Sequence, residues 1–329
     1  MDNAPALAKI AKQGAYDIPL DFYHSDNCDG PSLSSSGARI LVEDCPALFW
    51  HSSYLNPLVT VEQKREFDLG SAAHLLTLEP DQWEARVAIV EGKTKDGKPS
   101  AGYASQDAKA QREAAYEVGK IPLLPDEADQ IAEMRARLFA HPIAAKAFRG
   151  GFAERSYFSR DPSTGVWLKS RPDYSASDLA HLVEYKSTND ANPRQFARRA
   201  FDMGYYQQAA WSLDGVQGAT GIRPREYYLI AQANKAPYLV TVFRMSMKAI
   251  EWGQIMNRRG IDLFAWCWAR QEWPGFRDPK TPQIDSPLPI DLPGYAEFQL
   301  QARHEAGEFE RIKPSQKMLR LAEKAQAPL

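Results

Sequence analysis

The decisive stretch of the 329-residue sequence is Val166-Trp-Leu-Lys-Ser-Arg-Pro-Asp173, followed after a polar turn by His181-Leu-Val-Glu-Tyr-Lys186. Each stretch predicts a β-strand. Side chains alternate across a strand, so Glu184 and Lys186 point to the same face. If the two strands form a hairpin, Asp173 at the end of the first lies beside Glu184 on the second. The sequence therefore predicts two carboxylates and one ammonium group within reach of a single metal ion.

These residue types suit metal-assisted hydrolysis of a phosphodiester. Mg²⁺ is usually held by one or two carboxylates together with the substrate phosphate, and a bound metal ion lowers the pKa of its water ligand. A lysine beside the carboxylates can orient or deprotonate that water and stabilise the transition state. The alternative is a solvated hairpin, because Asp, Glu and Lys are common and so short a pattern matches many unrelated chains.

Three further segments extend the pattern: Phe67-Asp-Leu-Gly-Ser-Ala-Ala-His74, Glu154-Arg-Ser-Tyr-Phe-Ser159 and Phe201-Asp-Met-Gly-Tyr-Tyr-Gln-Gln208-Ala-Ala. With them, the chain from about Ser34 to Leu213 resembles the RecE-type (exonuclease VIII-like) branch of the PD-(D/E)xK nucleases, which is related to the RecB nuclease domain and to lambda-type exonuclease. The segments match that family's G-x-x-x-H helix, the acidic residue opening its first core strand and its G-Y-x-x-Q-x-A helix. The set is far more specific than any one motif.

The resemblance implies a role for each matched residue. Lys186 would position the attacking water, and Gln208 would help to hold the substrate. The ion would be Mg²⁺, with Mn²⁺ as a substitute. Many relatives carry D-x-K where this chain has Glu184-x-Lys186, and we expect only a small geometric adjustment because both carboxylates ligate metal. The implied residues are Asp173, Glu184, Lys186 and Gln208 in catalysis, His74, Asp173, Glu184 and the Tyr185 carbonyl as metal ligands, and Glu154 and Tyr205 adjoining them.

The resemblance also implies an activity and partners. It implies a Mg²⁺-dependent exonuclease that resects double-stranded DNA ends from 5' to 3' for phage-type single-strand-annealing recombination. It further implies a ring-shaped homo-oligomer and a RecT-like annealing protein as a partner. One alternative is a structure-specific or single-strand endonuclease with the same metal site. Another is a non-catalytic DNA-binding assembly subunit on a retained nuclease fold.

Some of these residues have simpler interpretations. His74 stands among leucines on a predicted helix, where a lone histidine is more often a core residue, but Gly70 one turn earlier would let that helix approach a sheet closely. Glu154 at a strand start is commonly a surface ion-pair partner. Tyr205 is explained equally well by helix packing.

The net charge of −2 argues against a broad basic surface, so nucleic-acid binding would have to be local. The best candidate is the segment from Asn192 to Arg199, where Pro193 suits a first helical turn. Arg194 and Arg198 are four residues apart and would share a helix face with access to phosphates, with Arg199 beside them. The alternative is an ordinary solvated face.

Other classes of protein are disfavoured by composition. No stretch approaches the roughly 18 apolar residues of a membrane helix, and the N-terminus lacks the basic start and apolar stretch of a signal peptide. The three cysteines, Cys28, Cys45 and Cys267, are far apart and odd in number, which favours reduced thiols in a cytoplasmic protein.

The predicted architecture is a mixed α/β fold, with a central β-sheet flanked by helices as in restriction-endonuclease-like PD-(D/E)xK cores. Residues 1–33 are predicted to be an irregular N-terminal arm, residues 34–278 the nuclease domain, and residues 279–329 a proline-rich extended segment with a charged helix from about Glu305 to Ala325. Single helices are predicted from about Ser34 to Trp50, bent near Pro46, and from Pro193 to Leu213.

Overall fold

The computed structural model describes residues 8–58, 68–100, 102–276, 287 and 290–310. The chain divides into two compact units, Met1–Phe276 and Arg277–Leu329. In the described part of the second unit, one helix runs from Gly294 to Glu305 and buries no residue. The predicted start of the C-terminal helix near Glu305 is therefore wrong, and residues 311–325 lie outside the described residues.

The described residues of the first unit form two larger β-sheets and a small one. The five-stranded sheet has the order β11 (Val240–Arg244), β10 (Glu226–Ala233), β9 (His181–Thr188), β8 (Tyr174–Ala176) and β5 (Gly151–Ala153). The four-stranded sheet has the order β1 (Gly14–Tyr16), β6 (Ser156–Arg160), β7 (Trp167–Ser170) and β2 (Ser32–Ser34). Strands β9 and β10 pair in parallel, as do β7 and β2, and the other pairs in these two sheets are antiparallel. Strands β3 (Val87–Ile89) and β4 (Ile121–Leu123) pair in parallel on their own.

Helices cover both faces of the five-stranded sheet. The helices of the described residues are α1 (Leu20–Tyr23), α2 (Ser35–Glu43), α3 (Pro46–Ser52), α4 (Asp68–Leu78), α5 (Trp83–Arg86), α6 (Gln106–Glu117), α7 (Pro125–Ala140), α8 (Pro142–Ala147), α9 (Pro193–Asp202), α10 (Tyr205–Thr220), α11 (Met247–Arg270) and α12 (Gly294–Glu305). On one face of the five-stranded sheet, Val183, Tyr185 and Ile230 pack in a cluster with apolar residues of α4, α7 and α8. On the other face, Leu182 and Leu229 pack in a cluster with apolar residues of α9, α10 and α11. The predicted mixed α/β class is confirmed.

The predicted hairpin between the strands around Val166 and His181 is wrong. Strand β7 belongs to the four-stranded sheet, and the antiparallel partner of β9 is the short strand β8. The chain crosses between the two sheets at Pro172, which has no backbone N–H for a continuing ladder. The β8–β9 register pairs Tyr174 with Val183, so Asp173 still comes to lie beside Glu184.

Two predicted single helices are each divided. The first breaks into α2 and α3, and Ser34 caps α2 by accepting a hydrogen bond from the Gly37 N–H. The second breaks into α9 and α10 at Gly204, whose φ of 67° lies in the left-handed region that glycine tolerates best. A Cβ at Gly204 would also lie 2.5 Å from Cδ of Arg39. Pattern alone predicts one helix there because the apolar spacing continues through the break.

The prediction of an irregular N-terminal arm is wrong for its described part, residues 8–33. Strand β1 joins the four-stranded sheet, and Ile10, Tyr23 and Cys28 are buried against Phe158 and Trp167. Turn-forming residues dominate this segment, so its few apolar residues show no periodic pattern in the sequence. Among the described residues, no helix combines the length and the apolar composition needed to span a bilayer.

Candidate active site

A cavity of about 970 Å³ opens where α4, the strand ends of β8 and β9, and the N-terminal arm meet. Six of its lining side chains can bind a metal ion or carry charge: His74, Glu154, Arg171, Asp173, Glu184 and Lys186. They come from four separate segments of the sequence. The fold therefore gathers five of the predicted site residues into one place, together with Arg171.

Three of these side chains form a potential metal site. His74, Glu154 and Asp173 each offer one ligand atom, and these atoms all lie within 4.8 Å of one another. The His74 Nε2 atom is 3.0 Å from Asp173 Oδ2, and its Nδ1 atom is 3.4 Å from Glu154 Oε1. One imidazole and two carboxylates form a donor set that divalent ions accept. Glu154, predicted only to adjoin the ligands, is thus a direct candidate ligand.

Helix α4 brings His74 to this site, and its Gly70 faces strand β9. A Cβ at Gly70 would lie 3.5 Å from the Ser187 Oγ atom, which is an ordinary van der Waals distance, so the approach of the helix does not depend on the glycine. The leucines beside His74 in sequence, Leu75 and Leu78, are buried in apolar clusters, whereas the imidazole faces the carboxylates. This geometry favours the ligand interpretation of His74 over the core interpretation.

Glu184 and Lys186 lie side by side on one face of β9, as strand alternation predicts. The Lys186 Nζ atom is 2.5 Å from Glu184 Oε1. Gln208 at the start of α10 donates a 2.6 Å hydrogen bond to the same oxygen, and the Tyr227 hydroxyl donates to Oε2 at 3.3 Å. The Glu184 side chain is only 2% exposed. Glu184 is therefore held by three donors and does not belong to the tight group formed by His74, Glu154 and Asp173.

Tyr185 contributes its backbone. Its N–H donates a 2.6 Å hydrogen bond to Asp173 Oδ2, while its ring lies on the opposite face of β9, where the hydroxyl donates to Gln232. The role of its carbonyl as a metal ligand stays a prediction. Tyr205 lies near Lys186, whose Nζ atom is 5.5 Å from the centre of the tyrosine ring.

The three predicted DNA-contacting arginines lie on α9, which follows β9 in the chain. Arg194, Arg198 and Arg199 are all exposed. None of them is among the described residues that line the cavity. Their contact with a nucleic acid stays a prediction.

Three residues or segments at the site escaped the sequence analysis. The N-terminal arm lines one side of the cavity through Ile18–Asp21, and Arg171 contacts Glu154. Tyr227 also belongs to the site, because it lies on the Glu184 face of neighbouring strand β10. The signal that could have found it is the parallel register, which pairs Leu229 with Glu184 and so sets Tyr227 two residues away on the same face.

The charges of the site shift its pKa values strongly. Burial lowers the pKa of His74, but the charges of Asp173 and then Glu154 outweigh it and raise that pKa to about 9. Burial and the charge of Asp173 raise the pKa of Glu184 to about 7. Burial also opposes the charge on Lys186, yet Glu184 and Asp173 raise its pKa above the usual range. Without a metal ion, His74 therefore carries a proton between two carboxylates.

We expect metal binding to tighten as the pH rises from about 6 towards about 9, and to release protons. A histidine that ligates a metal ion must be a neutral imidazole. Below its raised pKa of about 9, His74 must lose a proton before it can bind the ion. Titration calorimetry with Mn²⁺ in buffers of different ionisation enthalpy would measure a release of about one proton at pH 8. The His74→Ala protein should bind Mn²⁺ more weakly and release fewer protons. An unchanged binding curve would show that His74 packs in the core and does not ligate the ion.

The mixed sheet with helices on both faces, and the carboxylates and lysine gathered around its paired strands β8 and β9, define the class of PD-(D/E)xK nucleases, which use divalent metal ions. A family model described as a PDDEXK-like domain of unknown function (DUF3799) matches residues 34–277. The chain belongs to this family. The superfamily predicted from the sequence motifs is thereby confirmed.

Two solved structures are similar to this chain at low sequence identity, and the first of them shows the same fold. A proposed exonuclease from Eubacterium rectale is 13% identical, with a TM-score of 0.54 and coverage of 87% of this chain and 99% of that chain. An alkaline exonuclease from Laribacter hongkongensis is 13% identical, with a TM-score of 0.27 and coverage of 58% of this chain and 96% of that chain. A comparison with curated proteins found no match.

Proposed function

We propose that this nuclease is a Mg²⁺-dependent exonuclease that acts on double-stranded DNA ends. The observation that carries the proposal is the placement of His74, Glu154 and Asp173 next to the Glu184–Lys186 pair in a single cavity. Hard oxygen ligands with one imidazole suit Mg²⁺, and Mn²⁺ accepts the same donors.

The residues around the scissile phosphate would divide the work. His74, Glu154 and Asp173 would hold the ion, and the chemistry that a bound divalent ion supplies is a more acidic water and neutralisation of charge on the phosphate. Lys186 keeps its proton at neutral pH, since its pKa is raised by Glu184 and Asp173. It therefore acts as a hydrogen-bond donor that orients water and stabilises negative charge, and not as a base.

Glu184 serves to aim Lys186. Its Oε1 atom accepts hydrogen bonds from both Lys186 and Gln208, and its Oε2 atom accepts one from Tyr227. Such a fully bonded carboxylate has little freedom to rotate, so the ammonium group beside it is fixed as well. Gln208 would therefore help to position the catalytic pair, and its contact with the substrate stays a prediction.

The cavity of about 970 Å³ has room for a short piece of one strand. Action at a free end is supported by the resemblance to RecE-type exonucleases. The exposed arginines on α9 would contact backbone phosphates of the adjoining duplex, and each contact would add to the salt dependence of binding.

The finer predictions rest on the resemblance to RecE-type nucleases. It supports digestion from 5' to 3', a role in single-strand-annealing recombination, a ring-shaped homo-oligomer and a RecT-like partner.

We expect the protein to digest linear duplex DNA with Mg²⁺, and to leave covalently closed circles intact. The measurement compares linear duplex, nicked circle and closed circle, with separate 5' and 3' end labels and an EDTA control. Early release of the 5' label would support the proposed direction. Cutting of closed circles would assign the protein to the endonucleases, and binding without cutting under several divalent metals would favour an assembly subunit.

A further inference from the structure

Arg171 occupies a central position behind the proposed metal site. It lies between β7 and β8, and its side chain is 9% exposed. Its Nε atom donates a 2.7 Å hydrogen bond to Glu154 Oε2. Its Nη1 atom donates to the Ser156 hydroxyl at 2.7 Å and to the carbonyl of Ile18, in the N-terminal arm, at 2.9 Å. One guanidinium thus joins a candidate metal ligand, strand β6 and the arm.

The two oxygens of Glu154 are divided between different neighbours. Oε2 takes the hydrogen bond from Arg171, and Oε1 lies 3.4 Å from His74 Nδ1 in the proposed metal site. Because the fork of an arginine is planar and rigid, this contact fixes the orientation of the carboxylate as well as its charge. Arg171 therefore leaves Oε1 turned towards the position of the ion.

The backbone of Glu154 also needs external support. Its φ of 52° lies in the left-handed region, which residues other than glycine seldom adopt. It stands between β5 of the larger sheet and β6 of the smaller one, and its N–H donates to the Asp173 carbonyl at 3.0 Å. A residue in this conformation persists when its surroundings hold it, and the contact to Arg171 is the side-chain part of that support.

We infer that Arg171 is a positioning residue, which presents Glu154 to the metal ion and ties that ligand to the N-terminal arm. The inference rests on the proposed function, since it assumes that His74, Glu154 and Asp173 bind a divalent ion. Loss of the guanidinium fork would let the Glu154 carboxylate rotate, so the metal affinity would fall even with all three ligands in place.

Lys169, two residues before Arg171 on strand β7, offers a matched control. It is buried, and its Nζ atom donates to the carbonyls of Tyr23 and Ser25 at 2.8 and 3.2 Å. Lys169 thus holds the same arm as Arg171 without contacting Glu154. Lys169→Met is similar in length and removes the contacts to the arm, together with a cation–π contact to Tyr54, while Arg171 and Glu154 stay bonded. The variant therefore separates docking of the arm from orientation of the ligand.

The test is Mn²⁺ binding by titration calorimetry, with folding checked by circular dichroism. We expect Arg171→Lys, which keeps the charge but loses the fork, to bind Mn²⁺ about 10–100-fold more weakly. Lys169→Met should stay close to the wild-type affinity. Ser156→Ala removes a hydrogen-bond acceptor of Arg171 but no metal ligand, so its affinity for Mn²⁺ should lie between those of the wild type and Arg171→Lys. If Arg171→Lys does not fold, the affinity of Ser156→Ala tests the inference.

The outcomes separate this inference from the proposed function. If the wild-type protein shows no saturable Mn²⁺ binding, the proposed metal site is wrong. If the wild type binds but Arg171→Lys and Ser156→Ala bind equally well, the metal site stands and Arg171 does not position Glu154. If Lys169→Met weakens binding as much as Arg171→Lys, docking of the arm controls the affinity and the direct role of Arg171 is overturned.

Discussion

Replacing Lys186 with alanine should lower the rate of DNA cleavage by about 10²–10⁴-fold, the range for one positioned proton-transfer or hydrogen-bonding group. The ammonium group lies 2.5 Å from Glu184 and stays charged at neutral pH. It is the cation of β9 that faces the cavity, so its loss removes the donor that orients water. Binding of duplex DNA should be largely retained, because Arg194, Arg198 and Arg199 on α9 would still contact backbone phosphates.

The measurement is the single-turnover cleavage rate of an end-labelled duplex, together with fluorescence anisotropy for binding. Lys146→Ala is a suitable control, because that lysine lies on α8 and is not among the residues that line the cavity. Cleavage by the Lys186→Ala protein at the wild-type rate would show that the lysine does not position water. A parallel loss of binding and cleavage would make it a substrate anchor.

Replacing Asp173 with alanine should have the largest effect of any single change. The carboxylate contacts His74 and accepts a hydrogen bond from the Tyr185 N–H. Its removal therefore affects both the metal site and the register of β8 and β9. Loss of metal assistance worth several kcal/mol corresponds to a rate reduction of about 10³-fold or more. The pKa of His74 should also fall, because the charge of Asp173 is what chiefly opposes the effect of burial on it.

Two readouts test this prediction independently. Cleavage assays with increasing Mg²⁺ report on catalysis, and the pH dependence of the His74 ring resonances in NMR spectra reports on its pKa. Asp178→Ala serves as the control, since Asp178 is exposed in the turn before β9. A His74 pKa that stays near 9 in the Asp173→Ala protein would contradict the contact between these residues.

Local pattern was sufficient for the features that depend on neighbours in sequence. Strand alternation placed Glu184 and Lys186 on one face, and the motif order from Gly70 to Gln208 indicated the superfamily. The expectation that Asp173 lies beside Glu184 holds for a different reason than the one predicted. Strand β8 supplies the pairing, and the preceding strand lies in another sheet.

Features that depend on long-range contacts could not be predicted. The arm residues around Ile18 reach the cavity because strand β1 pairs with β6 and Arg171 donates to the Ile18 carbonyl. The bond between Arg171 and Glu154 joins residues 17 positions apart across two strands. Tyr227 contacts Glu184 because β9 and β10 pair in parallel, and the register of a parallel pair is not set by a turn that can be recognised in the sequence. Sequence periodicity describes one element at a time, and each of these contacts is made between elements.

The segment that follows the crossing at Pro172 should tolerate insertions and deletions poorly during evolution. From Arg171 to Lys186 the chain leaves one sheet, forms β8 and turns back into β9. Adding or deleting one residue in β9 would turn Glu184 and Lys186 to the opposite face, into the apolar cluster around Val183. Insertions should therefore be excluded there and collect instead in loops such as the Lys93–Pro99 turn, whose length sets no register in either larger sheet.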